Sequence, residues 1–117
     1  MSQNVPRTAL TAVGTLTVGG LANSPLSTLV VQATGAGTGL TFNVLGLPAV
    51  GGTAVALPMY PLASGVVGSP VVTASADGLW IVPIAGFVAA SLNLSAIGAS
   101  QTEYFSLTTS PALFPLV

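Results

Sequence analysis

The sequence predicts an all-β fold: an antiparallel β-sandwich of about seven to nine short strands with a jelly-roll-like layout. Three observations carry this expectation. Apolar and polar residues alternate with a period of two in run after run, as in Leu40, Phe42 and Val44 against Thr41 and Asn43, which is the spacing of a strand with one buried face. Fourteen glycines and nine prolines punctuate those runs roughly every ten residues, at the positions where turns need them. Charged residues make up only 3% of the 117 residues, so the charge pairs that support solvated helices cannot form.

The elements follow in order. Met1 to Thr11 is polar and contains Pro6, and it reads as an arm preceding a sandwich domain over residues 12–109. Val13 to Val18 sets Leu16 and Val18 against Thr15 and Thr17, a first strand; Leu29, Val31 and Ala33 mark a second, with Val30 weakening its outer face. The glycine cluster Gly35, Gly37 and Gly39 invites comparison with a phosphate-binding loop. Such a loop opens a helix whose N-terminus meets the phosphate, whereas here strand alternation resumes at once and no lysine exists, so a hairpin loop is expected. Leu45 to Gly52 reads as a loop, and Thr53 to Tyr60 as an edge strand ended by Pro61, with Val55, Leu57 and Met59 on one side. Val71 to Ala74 is a short strand leading into Asp77-Gly78.

The stretch Ala76 to Phe87, ADGLWIVPIAGF, is the centre of the pattern. Asp-Gly between apolar segments is a strong hairpin signal because both residues tolerate positive φ. The run therefore reads as turn, buried strand, turn, with Trp80 as a core anchor and Tyr60 and Tyr104 as surface aromatics. Two strands complete the set, Val88 to Ala96 and Thr102 to Thr109, the latter with Phe105 and Leu107 inward. The apolar tail over residues 110–117, with Leu113, Phe114, Leu116 and Val117, should dock on the sandwich or on a neighbouring subunit.

Composition excludes several functions. With no cysteine and no histidine, thiolate and imidazole metal sites are absent, and Asp77 and Glu103 alone fall short of an oxygen cage for a cation. Arg7 is the one basic side chain, too little for a phosphate-backbone footprint, so no nucleic-acid partner is expected. The many Ser and Thr hydroxyls lack a basic neighbour. A glycosidase pair of Asp77 and Glu103 competes with plainer roles, a turn for Asp77 and an exposed strand start for Glu103. No residue emerges as catalytic, cofactor-binding or metal-ligating; no cofactor and no enzymatic activity are expected.

A mean hydropathy of +0.90 raises the possibility of a small integral membrane protein, and Leu79 to Ala99 is long enough to span. The segment contains Pro83, Gly86, Ser91, Asn93 and Ser95 and alternates with a strand's period, so no membrane association is expected. Met1 to Leu10 also lacks the apolar stretch of a signal peptide. A chain with a formal net charge of −1 has weak protection against self-association. A surface of uncharged polar residues, chiefly Thr, Ser, Asn and Gln, or one covered by other subunits is therefore expected, and the second option points to an assembly.

The run Leu57-Pro58-Met59-Tyr60-Pro61, followed by Ala76-Asp77-Gly78-Leu79-Trp80-Ile81-Val82-Pro83-Ile84-Ala85-Gly86 and an alternating strand, resembles a small β-sandwich domain of structural proteins of tailed bacteriophages and prophages. The resemblance spans Thr11 to Thr109. It departs at Leu45 to Gly52, where relatives often carry a Gly-Ser-x-Asp-Gly-x-x-Trp turn, and at Ala90 and Asn93, where they often place arginines after the Ala-Gly turn. It implies a virion component: a capsid decoration, cement or minor capsid protein that forms a symmetric homo-oligomer, a trimer being favoured, and whose partners are the major capsid protein or other virion proteins. Met1 to Leu10 and Ala112 to Val117 would then be the contacting arms. The alternative is a tail-fibre or baseplate module that binds host glycan, favoured if exposed aromatics gather on one face.

Overall fold

The computed structural model describes residues 4–19, 21, 28–35 and 39–110. Ten strands run in the order β1 (Val5–Leu10), β2 (Gly14–Val18), β3 (Thr28–Thr34), β4 (Thr41–Leu47), β5 (Val55–Ala56), β6 (Tyr60–Ala63), β7 (Val66–Val67), β8 (Gly78–Pro83), β9 (Ala89–Ala96) and β10 (Glu103–Ser110). They form two antiparallel sheets, ordered β1-β10-β3-β8-β6-β7 and β2-β9-β4-β5. The all-β sandwich expected from the alternation is thus the fold, with two strands of only two residues raising the count above the expected range. If the β6–β7 hairpin is set aside, every connection except β4 to β5 crosses from one sheet to the other.

The facing sides of the sheets supply one core. From the larger sheet come Leu29, Val31 and Ala33 on β3, Trp80 and Val82 on β8, and Phe105 and Leu107 on β10; from the smaller come Phe42 and Val44 on β4 and Ala90, Leu92 and Leu94 on β9. All sit at the alternating positions that the two-residue period assigns inward. Phe42 joins the layers: its ring meets Trp80 edge-to-face at 5.2 Å and 86°, and Phe105 at 5.1 Å and 73°. Trp80 and Phe105 lie on the strands flanking β3, so one phenyl from the opposite sheet wedges between them.

Several local expectations are corrected. The arm expected at residues 1–11 instead contributes β1, which pairs with β10 along Val5↔Leu107 to Leu10↔Glu103. The Oδ1 of Asn4 pins its start by accepting from the Thr109 N–H at 3.0 Å and from the Thr109 hydroxyl at 3.1 Å. Loop composition hid the end of β4, which continues through Gly46 to Leu47. Gly46 is a strand residue because the Phe87 ring covers it; a Cβ there would lie 2.8 Å from that ring. Pro61 lies inside β6, opposite Trp80, and does not end a strand. Val71 to Ala74 makes only two isolated bridges, Met59↔Val71 and Phe42↔Ala74.

Asp77-Gly78 closes no hairpin: Ala74 bridges to the smaller sheet while Gly78 already pairs with Ala33 in the larger, so the chain is crossing between layers there. Ser64-Gly65 is the tight hairpin turn, with φ of 52° and 75° between the pairs Ala63↔Val66 and Leu62↔Val67. Positive φ at both central residues is the signature of a type I′ turn, whose twist matches paired antiparallel strands. Ala85-Gly86 behaves as read: Gly86 has φ 90°, and the Phe87 N–H donates to the Ile84 carbonyl at 3.2 Å. Gly35 and Gly39 lie on the connection from β3 to β4, which joins different sheets and is no hairpin. The apolar tail falls on residues 111–117, which lie outside the described residues.

Candidate interaction surface

Both acids of the chain meet one glycine. The Gly35 N–H donates to Asp77 Oδ2 at 3.0 Å, and Glu103 Oε1 lies 3.3 Å from where a Cβ on Gly35 would stand. Their environments differ sharply. Asp77 is exposed and clasps the β3–β4 connection to the crossover before β8, whereas Glu103 is 0% exposed. The exposed strand start expected for Glu103 is therefore wrong. The signal that reveals it is the phase of β10: Phe105 and Leu107 are inward, so position 103 is inward as well. A carboxyl sealed from solvent cannot meet a sugar, and one oxygen of the other is occupied by a backbone amide. The geometry does not favour a glycosidase pair, which needs both groups open to one bond.

Asp77 is instead a strut between two crossovers, worth what a hydrogen bond to a charged acceptor at the surface contributes. Asp77→Ala is expected to lower stability by about 1 kcal/mol, and Asp77→Asn, which keeps an acceptor, by less. Chemical denaturation checks this, and equal stability of wild type and Asp77→Ala would refute the strut.

The aromatics sort as the sequence indicates for the tryptophan. Trp80 is buried and folds back over Gly78, where a Cβ would lie 2.9 Å from its ring; close packing, and not positive φ, is the reason for that glycine. Tyr104 and Tyr60 are half-buried on the outer face of the larger sheet. The Arg7 guanidinium lies 3.9 Å above the Tyr104 ring, an arrangement in which the ring quadrupole attracts the cation. In the order β10-β3-β8-β6 the two tyrosines stand three strands apart, about 14 Å at ordinary strand spacing. One sugar ring cannot stack on both.

What the surface does gather is valine. Among the described residues the exposed large apolar side chains are Val13, Val50, Val55, Val66, Val71 and Val72, and five of these six lie between residues 50 and 72. Val50, at 90% exposure, tips the β4–β5 connection; Val55 lies on β5, Val66 on β7, and Val71 and Val72 on the segment that bridges to Met59. Strands β5 and β7 are the last strands of their respective sheets, on the flank opposite β1 and β2. That flank is therefore studded with apolar groups and carries no charged residue between Pro48 and Ala76. Exposed apolar side chains gathered on one flank are the raw material of an interaction site. Among the described residues no group of three or more acids stands ready to hold a metal ion, and no helix is long and apolar enough to cross a membrane.

These features define an antiparallel two-sheet sandwich with an uncharged apolar flank. No family model matches the chain, and no curated protein matches it by sequence. Solved structures do. The SPBc2 prophage-derived protein YomS superposes with a TM-score of 0.64 at 15% identity, over 94% of this chain and 96% of that one. The PBSX exported protein XepA superposes with a TM-score of 0.62 at 14% identity, over 91% of this chain. Only 39% of XepA is covered, so the sandwich corresponds to a part of that longer protein. At these identities the likeness establishes a shared fold.

Proposed function

We propose that this chain is a non-enzymatic structural protein of a phage particle, and that it acts as a capsid decoration, cement or minor capsid subunit on the head lattice. The observation that carries the reading is the valine flank on a chain with 3% charged residues. Such a surface is stable in water when covered, and a lattice of many identical sites covers it while multiplying weak contacts into avidity. The prophage derivation of YomS, whose fold spans nearly the whole of this chain, supports a phage origin. The strand orders β1-β10-β3-β8 and β2-β9-β4-β5 are, in this reading, those of a jelly roll carrying an inserted β6–β7 hairpin. Its partner is the major capsid protein or another virion protein, its location the virion, and its own state a homo-oligomer. The separated tyrosines and buried Trp80 weigh against a glycan-binding tail module. An enclosed Glu103 weighs against catalysis.

Mixing the purified chain with bare capsids of its own phage tests the proposal. Wild type is expected to co-sediment at a fixed ratio to the lattice repeat, and Val66→Asp with Val72→Asp to reduce binding at least tenfold with thermal stability kept. Undiminished binding by that double variant, or binding to tails and not heads, would overturn it. The contact expected from Met1 to Leu10 now needs a gentler test than truncation, because residues 5–10 are a strand of the larger sheet.

A further inference from the structure

Among the described strands the sandwich has four edges, and they are not equally protected. Edge strands present unpaired N–H and C=O groups, and proteins blunt them with proline, charge, irregular register or shortness. On β1 stand Pro6 and Arg7, and its pairing with β10 is irregular between Val5 and Thr8. Strands β5 and β7 are two residues each, and Pro58 and Pro70 follow closely. The remaining edge, β2, has none of these devices. Gly14–Val18 reads GTLTV, uncharged and free of proline, and pairs with β9 in unbroken register from Gly14↔Leu94 to Val18↔Ala90. Among the described strands nothing pairs with its other side.

We propose that β2 is a self-association edge, and that its occupant is β2 of a second copy of this chain, running antiparallel about a two-fold axis. The strand is complementary to itself in that arrangement. Centred on Leu16, Thr15 of each copy falls opposite Thr17 of the other, a favourable cross-strand pair, and Gly14 falls opposite Val18. Leu16 packs against the core yet remains half-exposed, and the second copy's Leu16 covers it. No like charges oppose the approach. A head-to-tail ring would need a second unblunted edge, and the other three are blunted; the edge therefore fits a two-fold assembly better than the trimer that the resemblance implies. Two copies then share one eight-stranded sheet. The inference does not depend on the capsid reading, and its test uses the full-length chain alone, so the two fail separately.

Thr15 and Thr17 are exposed on the outer face, so charge there leaves the core intact. By sedimentation equilibrium, wild type is expected to dimerise, Thr15→Lys with Thr17→Lys and Thr15→Glu with Thr17→Glu each to weaken self-association at least tenfold, and an equimolar mixture of the two variants to recover a heterodimer. A second readout uses the absence of cysteine. Leu16→Cys is expected to oxidise to a covalent dimer, since directly opposed residues lie within disulfide reach, whereas Val50→Cys on the far flank is not. A monomeric wild type at about 100 μM, a concentration at which micromolar pairing would be nearly complete, would overturn the proposal. So would charged variants that associate as well as wild type, or equal cross-linking at positions 16 and 50.

Discussion

Phe42→Ala is expected to destabilise the fold by about 3–5 kcal/mol, the range for removing a buried phenyl. Phe42 is fully buried and makes both of the ring contacts that join the sheets, to Trp80 and to Phe105. Alanine would leave a void lined by two rings held on either side of β3, and neither strand can close it without breaking its pairing with β3. Edge-to-face pairs add about 0.5–1.5 kcal/mol beyond the buried area, so the upper part of the range is favoured. That is a large share of the roughly 5–15 kcal/mol that stabilises an ordinary domain. The single tryptophan reports on this site, so guanidinium unfolding followed by Trp80 fluorescence measures the loss directly. A change below 1 kcal/mol would mean that the layers are not joined there.

Gly35→Ala is expected to cost about 2–4 kcal/mol, for two reasons that act together. Gly35 has φ 130°, a conformation that side-chain-bearing residues rarely adopt, and an added Cβ would lie 2.6 Å from the Thr102 carbonyl oxygen. That oxygen is backbone at the entry to β10 and cannot swing aside. Relief requires moving the connection between β3 and β4, which carries the Asp77 contact with it. Thermal unfolding of Gly35→Ala beside Asp77→Ala separates the effects, because the glycine variant should lose clearly more than the loss of the hydrogen bond explains. Equal losses would show that the close approach to Thr102 relaxes freely.

Much of this architecture was legible in the residues because a strand with one buried face leaves a period of two. Leu29, Val31 and Ala33, then Phe42 and Val44, then Phe105 and Leu107 all point inward as that period requires. Pairing was not legible, because alternation says which face of a strand is buried and nothing about its neighbour. Asp77-Gly78 shows the consequence: a dipeptide with strong hairpin chemistry sits where the chain changes sheets, and tertiary contacts to Gly35 and Trp80 decide its shape. Gly46 misled in the other direction, since a glycine demanded by the overlying Phe87 looks the same in sequence as one demanded by a turn. The valine flank was hidden for a similar reason. Val55 alternates in phase with Leu57 and Met59, and only the brevity of β5 leaves it outside the core.

The larger sheet seats its last strand in its interior, with β10 between β1 and β3. Until residues 103–110 are in place, β1 and β3 stand on either side of a gap that β10 alone fills among the described strands. Closing that sheet therefore joins segments far apart in sequence, which slows folding. A folding chain with three charged side chains has little electrostatic repulsion in that interval to keep it from its neighbours. Rapid capture, by a sister copy or by a growing shell, would shorten the exposure.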